Sequence, residues 1–198
     1  MLIRNATAFV DGRFCPGMEV RVHNGRVQEI GQGLYNGLYE DAIDLGGDYL
    51  LPGFVEAHIQ GYRGHDALQG EAAVRAMSRD LFRVGVAAFC PAIGGASAQE
   101  AASAMEAVRR VMAQPEHHGA VVLGVHLEAD ALAGAASTMR KVFEEMLSRG
   151  VKPEDAVLLC TAAPADSVGE KLAGRIAAGA PSPLTRWSRA WQWKGILA

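Results

Sequence analysis

Val86 to Ile93 is an unbroken apolar run, Val-Ala-Ala-Phe-Cys-Pro-Ala-Ile, with no polar residue to face water. A strand of that kind must be covered on both faces, the position of a strand inside a parallel sheet. Its flanks agree. In Glu71–Val84, the residues Val74, Met77, Leu81 and Val84 follow helical spacing. Downstream, Ser97 with Glu100 three residues later predicts a capping box. The helix it opens carries Met105, Val108 and Met112 on one face. Apolar segments at Phe54–Ile59 and Val121–Leu127 predict strands on either side, giving a βαβαβ run and a parallel sheet.

The first fifty residues have another character. Asp11-Gly12 and Asn24-Gly25 sit between short alternating runs, and both dipeptides favour the type I′ turn of a two-residue hairpin. A small antiparallel sheet is expected there. Toward the other end, Ser137 or Thr138 opens a helix with Met139, Val142, Phe143, Met146 and Leu147 along one side, ending at Gly150. Pro153 suits the first position of a further helix, with Glu154 and Asp155 at its positive end and Pro164 as its stop. Trp191 and Trp193 fall on one face of a short strand that would rejoin the N-terminal sheet. The tryptophans are expected to pack that sheet, and the methionines, at helical spacing, the core.

Composition narrows the function classes. Hydrophobic residues are 49% and charged residues 21% of the 198, which excludes a disordered, collagen-like or rod-like chain. Net charge is −3 and no run of like charges stands out, so there is no electrostatic footprint for nucleic acid. No apolar stretch approaches the roughly 20 residues of a membrane span. The first residues lack the basic leader and apolar core of a secretory signal, which predicts a cytoplasmic protein. Cys15, Cys90 and Cys160 are odd in number and widely spaced, and read as reduced, buried thiols.

The residues able to carry chemistry gather in two places. One is Leu51-Pro-Gly-Phe-Val-Glu-Ala-His58-Ile-Gln60-Gly61, followed by Tyr62-Arg-Gly-His65-Asp66. The other is Gly124-Val-His126-Leu-Glu128. The first resembles the opening of the amidohydrolase superfamily, in which Pro-Gly-Phe leads a strand ending in a His-x-His metal pair. Alternate strand residues point the same way, so two such imidazoles can hold one ion. Here Gln60 stands at the second position, and its amide is a poor ligand for zinc or iron. Val125-His-Leu-Glu128 resembles the signature of the N-acetylglucosamine-6-phosphate deacetylases, although this chain continues with Ala129-Asp130 where that family has Gly-Pro. Asp130-Ala-Leu-Ala-Gly134, Lys152 to Pro164, and Leu172 to Gly179 resemble later segments of the same family, in the same order.

The resemblance implies an α/β fold, here an abbreviated, partial TIM-type βα barrel with a small β-sandwich built from both termini. Residues 1–52 and 169–198 would form the sandwich and 53–168 the barrel part. It implies a divalent metal, zinc or iron, held by Glu128 with His58 and Gln60 as weaker contributors. His65 and Asp66 would line the substrate pocket, or simply serve a polar turn. The implied substrate is an amino-sugar phosphate and the implied reaction is removal of its N-acetyl group, yielding acetate and glucosamine 6-phosphate. A different amidohydrolase such as a dihydroorotase fits less well, because those lean on an intact His-x-His and a carboxylated lysine.

Length stands against a complete barrel. Eight βα units need roughly 250 residues, while about 115 lie between Gly53 and Gly169. The motif order jumps at Glu128–Asp130, from the third strand of the family to the segment after its eighth. All six histidines (His23, His58, His65, His117, His118, His126) precede residue 127, so the family's two later metal histidines and its general-base aspartate have no counterpart. A metal centre of this class needs about three protein ligands, and hydrolysis needs a carboxylate to move the proton. Two expectations follow: an enzyme completed by a second copy, or a non-catalytic remnant that binds or self-associates. A partial barrel exposes strand edges, so homo-oligomerisation is expected in either case. His126 reads as a packing or pocket residue, and His117-His118 as a solvated loop.

Overall fold

The computed structural model describes residues 1–38, 40–127 and 138–198. Three N-terminal strands form a meander: β1 (Leu2–Val10), β2 (Arg13–His23) and β3 (Arg26–Gly31). The turns are the expected ones. Asp11-Gly12 and Asn24-Gly25 all have positive φ, between 49° and 77°, and close pairs Val10–Arg13 and His23–Arg26. β4 (Ala42–Asp44) and β5 (Tyr49–Pro52) then run parallel to β1 along its free edge.

Next comes the βα part. β6 (Phe54–Ile59) leads into a small hairpin of β7 (Gly61–Tyr62) and β8 (His65–Asp66), then α1 (Glu71–Phe82), β9 (Val86–Ile93) and α2 (Ala98–Ala113). All eight residues of β9 are buried, and β6 pairs with it in parallel. Ser97 and Glu100 make the capping box. The helical period of α2 is right but its phase is not. Ala104, Ala107, Val108 and Val111 are buried, whereas Met105 and Met112 are 38% and 43% exposed. Alanines complete the inward stripe, so only Met77 among the methionines is a fully buried core residue.

The expected third strand is interrupted. It consists of β10 (Val121–Val122) and β11 (His126–Leu127), both parallel to β9, with Gly124 at φ 159° between them. α3 (Met139–Ser148) and α4 (Pro153–Cys160) follow as expected, with Pro153 at the helix start. Pro164 does not stop α4. The backbone breaks earlier, at Thr161 (φ −131°, ψ −83°), and Pro164 lies in the first turn of α5 (Ala162–Ser167), where its missing N–H costs no helical bond.

β12 (Leu184–Trp187) and β13 (Trp193–Leu197) return the chain to the N-terminal strands, β12 pairing antiparallel with β5. The result is one seven-stranded sheet in the order β13-β12-β5-β1-β2-β3, with β4 also on β1. Trp193 lies in β13, but Trp191 sits before it in a turn at φ 58°, stacked on Tyr49 with ring centroids 4.3 Å apart. Trp187 is fully buried among Phe54, Phe143 and Trp193.

Two layers cover the parallel sheet. Phe89 and Ile93 share a core with Met77, Leu81, Val108 and Val111 of α1 and α2 and with Phe143 of α3. On the opposite face, Val55 and Ala88 pack against Ala165 of α5 and Ala173. Among the described residues this sheet is open, because β6 and the β10–β11 line each pair only with β9.

Candidate functional site

Gly53 starts the strand that leads to the site. A Cβ there would lie 2.5 Å from the Pro183 carbonyl oxygen and 2.6 Å from the Ala87 side chain, so only glycine lets the two sheets approach at this point. Beyond it, Glu56 is level with Phe89 and Ile59 with Pro91, three steps along β6 against two along β9. The extra residue is a bulge. Glu56 and Ile59 are both buried as a result, and the intervening His58 is turned outward. On the other side of β9, His126 pairs with Ala92. The two imidazoles meet across the C-terminal end of β9, with ring centroids 4.6 Å apart and planes at 59°.

His58 therefore meets His126, the residue expected from sequence to serve packing or a pocket. Gln60 lies one residue beyond the end of β6. His65 faces Tyr62 across the β7–β8 hairpin. Asp66 caps the 3-10 turn Ala67–Gln69, its Oδ1 accepting the backbone N–H groups of Leu68 (2.8 Å) and Gln69 (3.3 Å). Those bonds are the polar-turn role. Glu128, Ala129 and Asp130 lie outside the described residues, as does Gly134.

Sequence reasoning also passed over Glu56. It is 3% exposed, and its Oε1 accepts the backbone N–H of Met139 at 2.6 Å, the first residue of α3. Burial pushes its carboxyl up to about 7, and the Met139 hydrogen bond offsets only part of that. Burial, with Glu56 nearby, also pushes the Cys160 thiol up to about 12. The available signal was the one acid in the β6 segment, two residues before His58. The three cysteines are unpaired, with Cys90 and Cys160 buried and Cys15 only partly so.

A zinc or iron centre wants imidazole and carboxylate donors, about three of them. Among the described residues, no three or more His, Cys, Asp or Glu side chains are grouped to hold a metal ion. The His58–His126 pair supplies two donors of the right kind at strand ends, where βα folds place their chemistry. The donor types fit such an ion and the number falls short.

No family model matches the chain. A curated N-acetylglucosamine-6-phosphate deacetylase of Bos taurus is 35% identical over 98 residues, the match covering 45% of this chain and 22% of that relative. The matched part thus spans less than a quarter of that relative's length. A crystal structure of N-acetylglucosamine-6-phosphate deacetylase from Pasteurella multocida superposes with a TM-score of 0.74 at 10% identity, covering 100% of this chain and 97% of that one. The Mycobacterium smegmatis N-acetyl-D-glucosamine-6-phosphate deacetylase gives 0.70 at 15% identity, covering 100% and 98%. At such identities the structural matches show the fold. Together with the bovine match they bear out the resemblance to N-acetylglucosamine-6-phosphate deacetylases that the motifs carried, in a chain that is short beside them.

Proposed function

We propose that the chain is an internally shortened relative of the N-acetylglucosamine-6-phosphate deacetylases. It keeps one part of a metal centre and hydrolyses an N-acetylated amino-sugar phosphate only where a second copy completes the site. The observation that carries the reading is the convergence of His58 and His126 at the C-terminal end of β9. In this reading residues 1–52 and 169–198 are the small β domain, and 53–168 are what remains of a βα barrel. Three unpaired cysteines suit a reducing, cytoplasmic setting.

His58 and His126 would hold the divalent ion together with Glu128, the acid that the motif supplies, and the second copy would complete its coordination. A bound zinc or iron ion polarises an amide carbonyl and acidifies water. The chain's own contribution is the placement of the two imidazoles, set by the β6 bulge and by the pairing of β11 with β9. Proton transfer needs a carboxylate beside them. Glu56 is engaged with Met139 and Asp66 with its turn, so the second copy is assigned that group.

A second reading, a non-catalytic module that self-associates, has its own support. α1, α2 and α3 cover one face of the parallel sheet, as the outer helices of a barrel do, and Ala165 and Ala173 fill the opposite face, where an interior would lie. Acetate release from N-acetylglucosamine 6-phosphate, with zinc or iron(II) added, separates the two. The completed-site reading predicts a specific activity that rises with protein concentration through the monomer–dimer range. Concentration-independent activity would contradict shared ligands, and no acetate from an established dimer would leave the non-catalytic reading.

A further inference from the structure

At the opposite end of the parallel strands from His58 and His126, the tip of the β2–β3 hairpin is clamped to the segment before β12. Val27 N–H donates to the Ala180 carbonyl (2.9 Å), Gly179 N–H to Val27 (2.8 Å) and Ser182 N–H to Gly25 (2.8 Å). Between this clamp, the end of α1 and the loop after α2 lies a cavity of about 320 Å³. Asn24, Arg26, Glu116, His117 and Ser182 bring polar groups to it, and Phe82 and Pro115 contribute an apolar wall.

Two features point to a ligand. Ser182 is 3% exposed, and its hydroxyl is buried with no hydrogen-bond partner among the described residues, a state that costs stability unless something else satisfies it. That hydroxyl lies beside Gly25, itself a lining residue. Glu116, the one acid among the lining residues, is engaged by Arg79 (3.2 Å) and by Arg75 (3.1 Å), which Glu71 also binds, and Arg26 brings a guanidinium to the lining itself. Arg26 spends Nη1 on the Gly179 carbonyl (2.8 Å), leaving further N–H donors on its fork.

We propose that this cavity is a binding site for the phosphate group of a small phosphorylated metabolite. Arg26, Ser182, Asn24 and His117 contact the phosphate, and Phe82 and Pro115 flank the rest of the molecule. Guanidinium, hydroxyl and amide donors are the groups that recognise phosphate oxygens, and the volume suits a ligand at the small end of the usual range. The inference is independent of the deacetylase reading, since it uses neither strand end that carries the histidine pair.

The test is a titration of the full chain, followed by backbone amide resonances, with inorganic phosphate, glycerol 3-phosphate and glycerol at constant ionic strength. The expected result is saturable shifts at Asn24, Gly25 and Gly119 for both phosphates, with a dissociation constant of about 1 mM or tighter, and none for glycerol. Ser182→Ala is the discriminating variant. It should weaken phosphate binding about tenfold or more while leaving the unfolding temperature of the free protein unchanged or raised, because it deletes an unpartnered hydroxyl. Arg26→Lys, which keeps the charge and loses the fork, should also weaken binding. Shifts that do not saturate would overturn the proposal. So would a Ser182→Ala variant that binds as the unaltered chain does, or that is destabilised with unchanged binding.

Discussion

Glu56, in the first parallel strand, accepts the backbone N–H of Met139 at the start of α3, 83 residues further along the chain, at 2.6 Å. Thr138, in the N-cap position, makes no side-chain cap bond, so a carboxylate from the sheet does the capping. The arrangement ties the helix that follows residues 128–137 to the strand that carries His58.

Its burial has a consequence for stability. With a carboxyl pushed up to about 7 from 4.5, the folded chain keeps a proton that the unfolded chain releases between those values. The stability this group contributes is present below about pH 4.5 and is lost as pH rises through 7, amounting to about 3 kcal/mol. Glu56→Gln keeps an acceptor for Met139 and cannot ionise. Urea unfolding from pH 5 to 8 should show the unaltered chain losing stability relative to Glu56→Gln as pH rises. A constant difference between the two would contradict the assignment.

The aromatic cluster joins the two sheets. Trp187 has no exposed surface, its Nε1 donates to Thr185 Oγ1 at 3.1 Å, and its ring lies 5.0 Å from Phe143 and 5.1 Å from Trp193. Trp187→Ala should cost about 3–5 kcal/mol in equilibrium unfolding. A loss below about 1 kcal/mol would mean that the small sheet and the βα part are not packed through this residue.

Gly174 has φ +72°, and a side chain there would overlap the carbonyl of Thr161, where α4 breaks. Gly174→Ala should therefore destabilise by more than the roughly 1 kcal/mol of an ordinary surface change, through strain and overlap together. A neutral Gly174→Ala would show that the segment before β12 is free to move away from α4 and α5.

Thiol labelling tests the burial of the cysteines. Cys15 is partly exposed, while Cys90 and Cys160 are buried with their thiols pushed up by desolvation. A thiol-reactive disulfide reagent should modify Cys15 first, and reach the other two only on unfolding. Fast reaction of Cys160 in the native state would contradict the packing of α4.

Much of this was legible locally. The Asp-Gly and Asn-Gly turns, the Ser97–Glu100 box, the apolar β9 run and Pro153 each rest on backbone preference or on neighbours a few residues away. What escaped depends on distant contacts. The bulge that turns His58 outward is set by pairing with β9, the meeting with His126 by strand order, and the raised Glu56 by the depth at which α3 lies. Met105 and Met112 show the same limit at smaller scale, because four small or branched residues define a buried stripe that does not include them. Pro164 fits a helix start as well as a helix stop, and only the kink at Thr161 decides between them.

The proposed site is a metal centre built on His58 and His126 that one chain leaves incomplete. Zinc content after dialysis against micromolar zinc, measured on monomer and oligomer fractions separated by sedimentation, tests it most directly. The prediction is less than one ion per chain on the monomer, higher occupancy on the oligomer, and loss of that zinc in His58→Ala, His126→Ala and Glu128→Ala. One tightly held ion per monomer, unaffected by the His126 substitution, would contradict it.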